Sequence, residues 1–145
     1  MARVLSIDPG KRKCGLVLAE ISEQKVYKAI ILNSELIGDF VRELNTFEDI
    51  SKIVIGNGTT SREIIKKLDF FKKEIKTFEE KNTTFRAKER YFELFPISGF
   101  KFLIPREVFI INKNLDAISA LIILEDYCKI KFTLNHNVNL KTWLR

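Results

Sequence analysis

The residue pattern passes from a run of strands to alternating strands and helices along this chain, and that change limits the folds open to it. Three apolar runs come first, in close succession: "RVLSID", "GLVLAE" and "KVYKAIIL". They are separated only by a short turn and the polar "ISEQ", so they read as antiparallel hairpins. The spacing then becomes helical. "SELIGDFVRELNTF" places Leu36, Ile37, Phe40, Val41 and Leu44 on one face, with Ser34 positioned to cap it. From there strands and helices alternate. "KIVIGN" is a short continuous apolar strand of the kind buried on both faces. "SREIIKKLDFFKKE" is an amphipathic helix capped at Ser61. "IKTFEE" is a fifth strand, "TTFRAKERYFELF" a helix ended by Pro96, and "NLDAISALIILEDYC" a last helix, apolar on most sides and suited to packing on a sheet. The order predicts an α/β fold: a five-stranded mixed sheet, three antiparallel strands then two parallel, flanked by helices. Residues 97–114 read as short strands or an apolar loop.

The chain has 145 residues, and no linker, repeat or low-complexity block divides it. A single domain over 1–145 is expected, burying roughly two-thirds of its unfolded surface. Twelve Phe residues are available to anchor the core. No apolar run approaches the roughly 20 residues of a membrane span. The opening "MARVLSIDPG" lacks a signal-peptide layout, and Cys14 and Cys128 have no metal or redox spacing. These features point to a cytoplasmic protein with two reduced thiols.

The net charge of +6 and isoelectric point near 9.3 favour an acidic partner, nucleic acid before others. His136 is the only histidine. A zinc site or a nucleophile triad therefore has no histidine partners to draw on, and a covalent intermediate is not expected. Chemistry in this chain has to rest on carboxylates. Three of them stand where apolar elements begin or end: Asp8 after the first strand, Glu80 after the fifth, and Asp116 at the start of the last helix. Each alone has an ordinary explanation, as a turn residue, a solvated strand end or a helix-dipole partner. Gathered together they would repel unless cations sat among them. Hard oxygen ligands favour Mg²⁺ or Mn²⁺, and two such ions roughly 3.5–4 Å apart clamp the attacking and leaving oxygens of a phosphodiester. Lys11, Arg12 and Lys13 follow Asp8 directly and suit phosphate contacts or a solvated turn. Lys81, Arg86, Lys88 and Arg90 add further positive charge, and residues 129–145 hold four cations and no acid. Asn57, Gly58, Thr59 and Thr60 offer N–H groups and hydroxyls to a phosphate, or else form a plain strand-to-helix turn.

Four stretches taken together, "SIDPGKRKCGLVLAE", "IVIGNGTTS", "FEEKNTTFRAKERYFEL" and "LDAISALIILEDY", resemble the YqgF (RuvX) family. Members of that family are RNase H-like proteins related to the Holliday-junction resolvase RuvC and are associated with pre-16S rRNA processing. The likeness runs from about Val4 to Tyr127, and is strongest to a branch with a "P…G…LLP" loop, here "PISGFKFLIP". It implies an RNase H-like fold and metal-ligand, catalytic roles for Asp8, Glu80 and Asp116, with Asp8 bridging two Mg²⁺ or Mn²⁺ ions. Ala120, one turn after Asp116, is a small residue that would let the last helix approach the sheet. The family's "DER" reads "EEK" here, so Lys81 keeps a charge but loses the bidentate fork. Ala117 stands where some relatives carry a second acid. Precursor ribosomal RNA is the implied substrate, with branched DNA second, the ribosome a further partner, and a monomer or homodimer the implied assembly. The alternative is a non-catalytic RNA-binding module in ribosome assembly or transcription.

Overall fold

A computed structural model describes residues 3–79, 83–96, 103, 115–138 and 143–144. The three opening runs form β1 (Arg3–Asp8), β2 (Lys13–Glu20) and β3 (Lys25–Asn33). β1 pairs antiparallel with β2, and β2 with β3. A 3₁₀ turn (Ser34–Leu36) leads into α1 (Ile37–Phe47). Then follow β4 (Ile50–Gly56), α2 (Ser61–Lys67), β5 (Glu74–Phe78), α3 (Thr83–Leu94) and α4 (Asp116–Cys128). β4 lies parallel to β1, and β5 parallel to β4.

The mixed sheet expected from the sequence is therefore present, with one correction. Beyond the five expected strands, two-residue strands β6 (Thr133–Leu134) and β7 (Trp143–Leu144) both pair parallel with β3. The main path through the sheet is β5-β4-β1-β2-β3-β6. Two residues carry no readable period, and these strands exist because β3 supplies their hydrogen bonds.

Two smaller expectations also need correction. The helix expected over 61–74 stops at Lys67. Leu68 and Phe71 keep helical spacing and are buried, yet a turn, with the Phe71 N–H bonded to the Leu68 carbonyl, delivers both to the core. Ser34 caps no helix; its hydroxyl is used elsewhere, as described below. The region 97–114 lies outside the described residues except for Leu103, which is exposed.

The sheet has a core on each face. Leu5, Ile7, Leu16, Leu18, Ile53 and Ile55 pack against α1 and α2. Val4, Val17, Ala19 and Val54 pack against α3 and α4. Alternate residues of β1 and β4 thus face opposite cores, which explains their continuous apolar runs. In α4 every residue from Ala117 to Glu125 is buried, because the sheet lies on one side and α3 on the other. The edge strand β5 is mostly exposed. No helix among the described residues is long and apolar enough to cross a membrane.

α4 ends where Lys129 takes a left-handed conformation at φ 58°. The returning chain is held by a buried ion pair. Arg90 on α3 donates to both oxygens of Glu125 at 3.0 and 2.8 Å and to the Phe132 carbonyl at 2.8 Å. The Phe132 N–H in turn donates to Glu125 Oε2 at 2.8 Å.

Candidate metal and nucleic-acid site

β1 carries Asp8 to the end of the sheet, and the chain turns at once through Pro9–Arg12 into β2. Gly10 is required here: a Cβ on it would overlap the Lys13 carbonyl. Ser34 ties the turn down from below. Its hydroxyl donates to the Gly10 carbonyl at 2.6 Å, and its N–H to the Arg12 carbonyl at 2.9 Å. Cys14 Sγ lies 3.2 Å from the same hydroxyl, and Lys67 donates to the Ser34 carbonyl at 3.1 Å. Burial pushes the Cys14 thiol up from its ordinary range, so it stays protonated and inert.

Asp8 sits directly opposite Gly15 in the β1–β2 register. Residues opposite one another on antiparallel strands point to the same face. At Gly15 that face meets the start of α4, where a Cβ would overlap the Asp116 carbonyl. Ser6, two residues before Asp8 and so on the same face, donates to the Ala120 carbonyl at 2.7 Å. Glycine at 15 and alanine at 120 let the helix settle directly onto the strands. Asp8 and Asp116 are thereby brought to one face at one end of the sheet, both half-buried. Lys13, two residues before Gly15, also belongs to this face, and its ammonium lies 3.2 Å from Asp116 Oδ2.

The close approach predicts the effect of Gly15→Ala. An added methyl has rigid helix backbone in its path, so the loss is expected to reach or exceed the ~3 kcal/mol upper range of ordinary overpacking. Urea unfolding measures it directly.

β4 and β5 run parallel to β1 and finish at the same edge, where the Asn57 N–H donates to the Phe78 carbonyl at 2.8 Å. The segment 57–60 lies beside the Asp8 turn, since a Cβ on Gly58 would sit 3.9 Å from Pro9 Cγ. Asn57, Gly58 and Thr59 are exposed and Thr60 is buried. Ser61 donates its hydroxyl back to the Gly58 carbonyl at 2.8 Å, and no side chain caps α2. Lys11 and Arg12 are exposed. Glu80 and Lys81 lie outside the described residues. Among the described residues, no three of His, Cys, Asp and Glu are grouped to hold a metal ion. The donor chemistry of Asp8 and Asp116, two carboxylates facing one corner, suits a hard divalent cation.

Arg86 and Arg90, expected from the sequence at a nucleic-acid surface, each form an ion pair with α4. Arg86 makes a two-pronged pair with Asp126 at 2.5 and 2.6 Å. Arg90 is the buried partner of Glu125. Both face α4 because they lie four apart on one side of α3. Lys88, on the outer side, is exposed. An open pocket of about 650 Å³ lies beside the α3–α4 contact, lined by Arg86, Arg90, Glu125 and Asp126 among others, and neither Asp8 nor Asp116 lines it. Its paired charges suit neither a polyanion nor a free cation.

No protein-family profile matches the chain, and no curated protein matches it in sequence. A solved structure does match its fold. This is T. thermophilus RuvC in complex with Holliday junction substrate, at TM-score 0.55 and 11% identity, covering 89% of this chain and 96% of that one. The fold is RNase H-like. At that identity the likeness speaks for the path of the backbone alone.

The sequence reading missed Ser34 as the anchor of the Asp8 turn and Gly15 as the contact point for α4. Ser34 carries a cap signature ahead of a helix, and nothing local distinguishes a hydroxyl that bonds back to a turn more than twenty residues earlier. Gly15 offered a better clue, because a glycine inside a strand marks a close backbone approach.

Proposed function

We infer that this protein is a divalent-metal-dependent nuclease that hydrolyses phosphodiester bonds in nucleic acid. The observation that carries the reading is the convergence of Asp8 and Asp116 on one face of an RNase H-like sheet, across Gly15. Asp8, Glu80 and Asp116 are the proposed ligands of two Mg²⁺ or Mn²⁺ ions, which when bound supply Lewis-acid activation of water and stabilise the leaving 3′ oxygen. Lys11 and Arg12, exposed beside Asp8, hold phosphates of the substrate; Asn57, Thr59, Thr60 and Lys81 are proposed to complete that surface. These contacts are independent of base sequence and weaken with salt. The proposed substrate is precursor ribosomal RNA, cut in processing the 5′ end of 16S rRNA in the cytoplasm. Branched DNA is the second reading, favoured by the junction-bound RuvC structure that shares the fold.

The test is cleavage by the purified protein. Structured RNA and a four-way DNA junction are each incubated with Mn²⁺, with Mg²⁺ and with EDTA. RNA cleavage is expected with either metal, leaving 5′-phosphate and 3′-hydroxyl ends, and none with EDTA. Cutting of the junction alone moves the assignment to a resolvase. Salt-sensitive RNA binding without any cleavage leaves only a binding module.

A further inference from the structure

We propose that Lys13 is a built-in counter-ion of the metal site, competing with divalent cations for Asp116 and setting the metal concentration at which the site fills. This inference rests on the nuclease reading of the same corner. Of the three consecutive cations after Pro9-Gly10, Lys11 and Arg12 are exposed, whereas Lys13 is half-buried. The strand pattern accounts for the difference. Lys13 is the first residue of β2 and shares the α4 face with Gly15, across from Asp8. Its ammonium lies 3.2 Å from Asp116 Oδ2, with the two side chains 31% and 26% exposed. That shielding makes the attraction stronger than in a fully exposed pair.

An ammonium in this position does electrostatically what a metal would do, but less well. It offsets the charge of a carboxylate held near a second one. A divalent ion taking lone pairs of Asp116 Oδ2 meets a positive charge already in place. Lysine is suited to give way, since its head is strongly hydrated and its stem flexible, and part of the side chain already reaches solvent. An arginine held by a bidentate fork, as Arg86 is by Asp126, has no such freedom. The ion pair is therefore the resting form of the site, and metal entry exchanges one cation for another.

The experiment is calorimetric titration of Mn²⁺ into the metal-free protein and its Lys13→Gln, Lys13→Arg and Asp116→Asn variants, with thermal melts of each. Lys13→Gln is expected to bind Mn²⁺ about tenfold more tightly than wild type. Its metal-free form should melt lower, and its gain in melting temperature on adding Mn²⁺ should exceed that of wild type. Lys13→Arg, which keeps the charge, should bind no more tightly than wild type, and Asp116→Asn more weakly. Equal or weaker Mn²⁺ binding by Lys13→Gln, alongside normal uptake by wild type, overturns the counter-ion role and leaves the metal reading standing. If wild type and Lys13→Gln both take up no Mn²⁺, the metal reading fails and the inference falls with it.

Discussion

Asp8→Asn is expected to reduce RNA cleavage to the level of a no-enzyme control while leaving the fold and RNA affinity close to wild type. The substitution keeps the shape of the side chain and removes its charge. An amide oxygen would be a far poorer ligand for Mg²⁺ or Mn²⁺ than a carboxylate. The strand that carries it is held by its neighbours. Leu5 and Ile7 are fixed in one core and Ser6 bonds to α4, so β1 remains seated. The phosphate contacts proposed for Lys11 and Arg12 are untouched, hence the expected affinity. Cleavage assays with Mn²⁺, run beside a thermal melt and a filter-binding titration, separate these outcomes. Equal cleavage by wild type and Asp8→Asn would assign the activity to a contaminant and remove the nuclease proposal.

Arg90→Ala is expected to cost about 3–5 kcal/mol of stability, because it leaves Glu125 ionised, buried and short of its partner. Against a typical total of about 5–15 kcal/mol, that is a large share, and it unfolds much of the chain at 37 °C where the total lies near the lower end. The structure shows why the site tolerates no half-measure. Glu125 is 6% exposed and Arg90 8%, and the pair also receives the Phe132 N–H and supports its carbonyl. Loss of either side chain frees the segment that returns from α4 to β3. The double variant Arg90→Met, Glu125→Leu removes both charges together. It should cost less than the sum of the single changes, since no unpaired ion is left behind. Urea melts of the two single variants and the double one measure this. A loss below ~1 kcal/mol for Arg90→Ala would show that water replaces the arginine.

The periodicity of the sequence was enough for most of the main strands and helices because all but the mostly exposed β5 have a buried face. β1 and β4 are mostly apolar since both their faces are covered, and α4 is apolar on most sides since it lies between sheet and α3. The placement of Asp8 and Asp116 at element ends was legible because each stands at the boundary of such an apolar run. The fate of Arg86 and Arg90 was not legible. On the page they are charges in an exposed helix, and only the packing of α3 on α4 turns them inward toward Asp126 and Glu125. Lys13 illustrates the same limit: it stands between an exposed arginine and a buried cysteine, and its direction follows from the β2 register, not from its own chemistry. The strand count fell short because β6 and β7 owe their form to β3 alone.

That dependence on β3 has a temporal side. The strand meets Thr133 and Leu134 at its beginning and Trp143 and Leu144 toward its end, so its outer rim is completed by residues that leave the ribosome long after the hairpins have emerged. During synthesis the amides along that rim stand open to any passing chain, as an unprotected strand edge does. Nascent protein halted before Thr133 is in this sense sticky by construction, and β6 and β7 act as its seal.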